Sequence, residues 1–304
     1  MNLSFLTYSV KSKIFAGSRR IFLSITFLFT PIQLAQFLHW KFFKSKRPTI
    51  TKPLRNSTTD LNIIEQKNSK PNVAIILHVF YPDIGIEILH QVLPKSNYFD
   101  KILITHSMTP TVFAEFQSEV PQELLSKCHF IIVENRFRDC GPFIQAAASS
   151  YLSDCSVFLK LHTKKSPHLP NNEGSLWRRD LVDGLLDPNV IEKFIKQLAE
   201  GSEALWACPE SWLSTKSDWG FNSFQVWKLT KTLDIPFRGP QLFPVGNMYW
   251  LNSLVLNDFR ILAKSVNLDS ESNLNFLNDG HWTHAIERIP SSYENTTKAY
   301  PSQE

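Results

Sequence analysis

The sequence predicts an α/β protein with one Rossmann-like, mostly parallel sheet flanked by helices, preceded by an N-terminal apolar and basic helical arm. Three observations carry that expectation. Beyond residue 71, short β-rich runs alternate with helical stretches, as a parallel sheet with crossover helices requires. Four of these runs break into polar or charged loops: 81–83, 135–141, 162–168 and from Glu210 onward. Basic residues are concentrated at one end: residues 1–60 hold ten Lys or Arg against one acid, Asp60, leaving 22 basic and 27 acidic residues beyond. The folded part is therefore mildly acidic although the chain's formal charge is +4. A nucleic-acid enzyme would carry its basic surface on the folded domain, so no nucleic-acid partner is expected. A chain of 304 residues, 43% hydrophobic and 20% charged, has the composition to bury a core and lies outside the disordered class.

The arm comes first. Residues 21–40 are uncharged and lie between Arg19-Arg20 and Lys41. Their length matches the ~20 residues of a membrane span. Pro31, Gln33, Gln36 and His39 weaken the second half, whereas Trp40 and the basic flanks suit a headgroup interface. A surface or re-entrant anchor, a single span and a buried helix are the alternatives. A cleavable leader is disfavoured, because a second basic cluster follows the apolar run and no small-x-small site does. The expected organisation is an arm over 1–47, a Pro/Thr/Ser/Asn-rich linker over 48–71, the main domain over 72–292 and a flexible tail over 293–304. Cys128, Cys140, Cys155 and Cys208 have neither C-x-x-C spacing nor the density of a disulfide scaffold, and read as reduced thiols.

Within the main domain, 73–79 reads as a buried strand, followed by the Tyr81-Pro82-Asp83 turn and a helix over 84–93. Strands at 101–106, 129–134 and 156–161 and helices at 112–119 and 140–151 continue the alternation. Helices follow at 176–186 and 190–200, then a strand at 204–209, a helix at 223–233, a strand-like 243–250 and a last helix at 280–289. Ligands of such sheets bind off the carboxyl ends of the strands, which selects the four polar loops as the place to seek function. No Gly-x-Ser-x-Gly or Walker-type loop is present, so hydrolases and kinases of familiar type are disfavoured.

Several stretches resemble one family. Val-Glu-Asn-Arg-Phe-Arg-Asp-Cys-Gly-Pro-Phe (133–143) is similar to the Glu-Asn-x-Gly-Arg-Asp-x-Gly-Pro-Phe signature of the rhamnan synthesis protein F family. Leu-Lys-Leu-His-Thr-Lys-Lys-Ser-Pro-His (159–168) with Trp177-Arg178 resembles its Lys-x-His-Thr-Lys-Lys-Ser block. Phe-Pro-Val-Gly-Asn-Met-Tyr-Trp (243–250), and Asp279-Gly280 with His284-Ala285-Ile286-Glu287-Arg288, resemble the remaining two. Order and spacing extend the resemblance over about 220 residues. Phe137 stands where the family usually has glycine, and His281-Trp282 where smaller or less aromatic residues are usual.

The resemblance implies a glycosyltransferase of surface-polysaccharide assembly. It would take rhamnose or a related deoxysugar from a nucleotide-sugar donor to a glycan or lipid-linked acceptor, at the cytoplasmic membrane face or in the cytoplasm. The pattern also looks like the single-domain GT-A type, where a strand ends in Asp-x-Asp and holds a metal on the donor diphosphate. Here that strand runs into Lys160, His162, Thr163, Lys164 and Lys165, so fixed cations replace the acidic site and no metal is expected; Mg²⁺ or Mn²⁺ is the alternative. Lys164 and Lys165 lead as phosphate contacts, against the reading of a solvated basic loop. Glu134, Arg136, Arg138 and Asp139 fall where base or ribose would lie, and Arg138 with Asp139 reads equally as an internal ion pair. Asp83 is either a nucleotide contact or a turn residue. Trp177 and Arg178 are acceptor candidates, with a core role open to Trp177; His281 lies beside the acceptor by the same resemblance. Asp279 is the candidate base for the acceptor hydroxyl, and equally a cap for the helix that follows. Its grouping with His281 and His284 is weak as a metal set, lacking a fourth ligand. A glycan-binding or scaffolding protein without turnover is the competing class.

Overall fold

The computed structural model of the chain describes residues 70–165, 173–201, 203, 205–214, 219, 222–265 and 282–295. The N-terminal arm, most of the linker, and the positions of His168, Asp279 and His281 lie outside the described residues.

Four strands form the parallel part of the sheet: β1 (Val73–Val79), β2 (Lys101–His106), β3 (Cys128–Ile132) and β4 (Val157–His162). Every residue of β1 and β4 is buried, which is why both read as near-continuous apolar runs rather than alternating ones. Between them run α1 (Pro82–Val92), α2 (Pro110–Glu119), α3 (Gln122–Leu125) and α4 (Cys140–Ala147). Local chemistry starts these helices. Pro82 and Pro110 occupy first-turn positions that need no amide donor, and the Thr109 side chain accepts from the Val112 amide.

After β4 come α5 (Glu173–Leu185), α6 (Pro188–Glu200), β5 (Leu205–Ala207), α7 (Ser223–Thr232), β6 (Tyr249–Asn252), α8 (Ser253–Ser265), α9 (Trp282–Ile286) and β7 (Glu294–Asn295). Asp187 caps α6 by accepting from the Asn189 and Val190 amides. The seven strands lie in the order β3-β2-β1-β4-β6-β5-β7. Pairings are parallel except β4 with β6 and β6 with β5. The sheet is thus mixed α/β and mostly parallel, flanked by helices, as the sequence predicts. Trp206 and Trp250 are buried in its second half, and the indole amine of Trp250 donates to the Leu185 carbonyl at 3.1 Å. Each such ring contributes about 2–3 kcal/mol through burial alone.

Several elements differ from the sequence expectation. The strand-like 243–250 is interrupted by a 3-10 turn, Val245–Asn247, because Gly246 (φ 76°) and Asn247 (φ 58°) take left-handed conformations; the strand starts only at Tyr249. Helix α8 has no counterpart in the expected elements, although Val255, Leu256, Phe259 and Leu262 mark its buried face at helical spacing. The expected 140–151 helix stops at Ala147, and Ser149 caps a separate 3-10 turn, Ser150–Leu152. Among the described residues no helix is long and apolar enough to cross a membrane; residues 21–40 are outside that set.

Chain order places the site. From β1 the sheet grows one way through β2 and β3, then β4 returns to the other side of β1. The carboxyl ends of β1 and β4 therefore flank a topological switch point, where crevices form. Because β6 runs antiparallel to β4, with Lys160 opposite Tyr249, the turn before β6 arrives at that same end.

Candidate functional site

The centre of the site is a buried ion pair. Lys160 Nζ, on β4, donates to Asp139 Oδ2 at 2.8 Å and to the Asn247 carbonyl at 2.5 Å. Its side chain is 2% exposed and Asp139's is 11%. Asn247 Nδ2 donates to the same Asp139 oxygen at 2.6 Å and also reaches Cys140 Sγ at 3.3 Å. The Phe143 and Tyr249 rings lie 5.1 and 5.6 Å from the ammonium. A lysine is tolerated at this depth because charge, hydrogen bonds and aromatic faces together offset its lost hydration.

The loop before α4 is bent to deliver Asp139. Phe137 (φ 59°) and Arg138 (φ 55°) are successive left-handed residues, and the Asp139 side chain makes no cap bond to its own helix. Glycine would take that conformation at position 137 without strain, whereas Phe137 bears it at about 1–2 kcal/mol. Gly141 is required by contact: a Cβ there would lie 2.3 Å from the Arg136 carbonyl oxygen.

Two imidazoles surround the pair. Burial pushes His162 down to about 3 despite the facing Asp139, so it is neutral at neutral pH. Its Nδ1 is buried without a hydrogen-bond partner, 3.4 Å from Asp139 Oδ2. Burial likewise pushes His78 down to about 4, and its Nδ1 lies 3.2 Å from the Thr105 carbonyl and 3.1 Å from the Thr105 hydroxyl. For Asp139, burial alone would raise the carboxyl, but the Lys160 ammonium, through its charge and its hydrogen bond, holds it well below the carboxylate range. With His162 neutral, the Lys160 ammonium is the charge that keeps Asp139 ionised.

Thr163 also works from beneath. Its hydroxyl oxygen accepts from the Phe80 and Tyr81 amides at 2.8 and 3.0 Å, tying the β4 loop to the β1 loop. Arg178 is buried; it donates to the Lys164 carbonyl at 3.1 Å and to Glu87 at 3.0 Å, and Arg179 joins Glu87 at 2.9 Å. This brace sets the course of the Lys164 backbone.

The rim carries the accessible chemistry. Lys164 is half-buried, with Nζ 4.1 Å from the Trp177 ring centre, and burial lowers its pKa against the opposing pull of Glu287 and Asp139. Lys165 is more exposed, lies 4.5 Å from the Tyr81 ring and pairs with Asp83 at 3.1 Å. Arg138 is exposed and its charge reaches Lys164. Asp139 therefore takes Lys160 as its partner, not Arg138. Glu134 and Arg136 form their own exposed pair at 2.8 Å.

Sequence reasoning did not single out Asn247 or Glu87, and it noted Glu287 only as part of a motif. Asn247 was signalled by Gly246-Asn247 at the head of a strand, a pair suited to left-handed turns. Among the described residues, Asp139, Cys140 and Glu287 form a group whose potential ligand atoms lie within 4.8 Å of one another. The set fits a divalent ion poorly. Asp139 Oδ2 already accepts two hydrogen bonds, burial pushes the Cys140 thiol well up, and the Lys160 ammonium would repel the ion.

No solved structure matches the chain. An uncharacterized protein WxcX of Xanthomonas campestris pv. campestris strain ATCC 33913 is 27% identical over 222 residues, 72% of this chain. The WxcX protein of strain B100 aligns with the same identity and coverage. This chain spans 31% of the length of those relatives. The family described as Rhamnan synthesis protein F matches residues 41–298, a range that contains every described element and all the motifs above. The chain belongs to the rhamnan synthesis protein F family.

Proposed function

We propose that this protein is a glycosyltransferase that moves rhamnose or a related deoxysugar from a nucleotide-sugar donor to a surface-polysaccharide or lipid-linked glycan. One observation carries the reading. At the switch point of a mostly parallel sheet, Lys164 and Lys165 present cations beside the rings of Trp177 and Tyr81, and the charge of the exposed Arg138 reaches Lys164. Loss of a nucleoside diphosphate builds negative charge on phosphate oxygens, and fixed ammonium and guanidinium groups stabilise that charge. Aromatic faces suit a sugar ring or base. Lys160, His162, Thr163, Asp139 and Arg178 hold the frame, while Glu134 and Asp83 border it. Trp177 and His281 are the acceptor-side candidates. A carboxylate late in the chain takes the acceptor proton; Asp279 is the sequence's candidate.

Phosphate stabilisation by these cations requires no divalent metal. Family membership also suggests work at the cytoplasmic membrane face, with the basic arm against the lipid surface. The test is a transfer assay on the full-length chain, with nucleotide-activated deoxysugars, a lipid-linked glycan acceptor, and Mg²⁺ or chelator. Sugar-extended product that survives chelation is expected; a strict metal requirement that Lys164→Ala leaves unchanged would refute cationic stabilisation. The competing reading, a glycan-binding scaffold, draws on the engagement of Lys160 by Asp139 inside the fold. It requires glycan binding with no product under any of these conditions.

A further inference from the structure

Two carboxylates reach the crevice, and their surroundings differ. Asp139 is 11% exposed, and its Oδ2 is engaged by Lys160 and Asn247. Glu287 is 23% exposed, about twice as open, although its carboxylate lies within 4.8 Å of that of Asp139 and of the Cys140 thiol. The chain delivers it there by a short path. The Cys140 thiol meets the Thr283 carbonyl at 3.6 Å, which ties α9 to α4, and the Glu287 amide donates to the same Thr283 carbonyl at 3.1 Å, extending the last turn. Glu287 Oε2 faces His284 Nδ1 at 3.5 Å and Arg288 at 3.7 Å. Arg288 is itself placed over the Phe243 ring and donates to the His284 carbonyl at 2.6 Å. The Glu287 charge also reaches Lys164, where it is the strongest opposite-charge influence. A partly open carboxylate thus lies beside the buried Asp139, within electrostatic reach of Lys164.

We propose that Glu287 is the catalytic base that deprotonates the acceptor hydroxyl, in place of Asp279. The proposal rests on the transferase reading. Glu287 takes the hydroxyl proton while the hydroxyl oxygen's electron pair forms the bond to the anomeric carbon. The bond from that carbon to the diphosphate oxygen breaks, and its electron pair leaves on the nucleoside diphosphate beside Lys164. The proton then passes from Glu287 to solvent, and the anomeric centre is inverted by the single displacement.

The experiment compares full-length wild type, Glu287→Gln, Glu287→Asp and Asp279→Asn. Its readouts are transfer rate against pH, the melting temperature, and the rise in melting temperature caused by the nucleotide sugar that the wild type uses. General-base catalysis is worth about 100- to 10,000-fold. Glu287→Gln is expected to lose that much in kcat, and to lose the acid limb of the rate profile. It should keep its own melting temperature and at least half of the donor-induced rise. Glu287→Asp should recover at least tenfold over the glutamine variant, and the loss in Glu287→Gln should exceed that in Asp279→Asn by at least tenfold. A Glu287→Gln rate within threefold of wild type, the reverse order of the two variants, or joint loss of stability and donor binding would each overturn the assignment. Absence of transfer in the wild type would instead refute the transferase reading on which it rests.

Discussion

The buried centre and the open rim of this site use the same residue types for opposite ends. Lys160 and Lys164 are four positions apart at the end of β4, yet one is 2% exposed and bonded to Asp139 and Asn247, while the other is half-buried against a ring. The end of β4 at His162 separates their fates: Lys160 lies inside the buried strand and Lys164 in the loop beyond it. The difference teaches that a cluster of basic residues at a strand end is not one feature. Its inner member is bound to the fold, and its outer members are available to a ligand.

The largest expected effect attacks the centre. Lys160→Met leaves Asp139 buried without its cation and should cost about 3–5 kcal/mol of unfolding free energy. The double variant Lys160→Met, Asp139→Asn should cost much less than the sum of the singles, because no charge is stranded. Urea unfolding of the three variants checks both statements; additive losses would mean that the two groups are not coupled. Next, Gly141→Ala forces a methyl group toward the Arg136 carbonyl and should cost about 1–3 kcal/mol, read by the same method.

A pH series sharpens the comparison further. His162 and His78 titrate near 3 and 4 when folded, against an ordinary 6.5. Between those values the unfolded chain binds more protons, so their contribution is complete above about pH 6.5 and is lost as pH falls toward 3–4. Asp139 acts in the same direction below its ordinary 3.8. Each histidine can contribute a slope of up to about 1.4 kcal/mol per pH unit. Unfolding midpoints at pH 7, 6 and 5 should therefore fall progressively, and His162→Asn should flatten the profile. The smallest effect belongs to the rim: Lys165→Ala breaks an exposed pair with Asp83 and should change stability by less than about 0.5 kcal/mol in urea unfolding.

Much of this was legible in the sequence. The strands at 73–79 and 101–106 have their expected limits because both are short apolar or β-branched runs closed by polar turns. Of the four polar loops selected by the rule that crevices lie off strand ends, those after β1, β3 and β4 meet one another and the turn before β6. Pairing was less legible. Arg138 and Asp139 are sequence neighbours and suggest an ion pair, but the left-handed backbone at 137–138 turns Asp139 onto a lysine 21 positions away. The role of Asn247 was hidden because it uses a backbone carbonyl and a side-chain amide together, a combination set by the turn and not by residue type. Helix α8 is the opposite case: Val255, Leu256, Phe259 and Leu262 carry a helical apolar period that is legible in the sequence.

The division between centre and rim is tested most directly by the melting temperature of the full-length wild type and of Lys164→Ala, each with and without a panel of nucleotide sugars. A ligand that binds the folded chain raises its melting temperature by mass action. The expected result is a rise for at least one nucleotide deoxysugar in the wild type, with Lys164→Ala keeping its own melting temperature and losing most of that rise. Equal rises in the two proteins, or no rise in the wild type with any nucleotide sugar, would contradict the assignment of the rim to the donor.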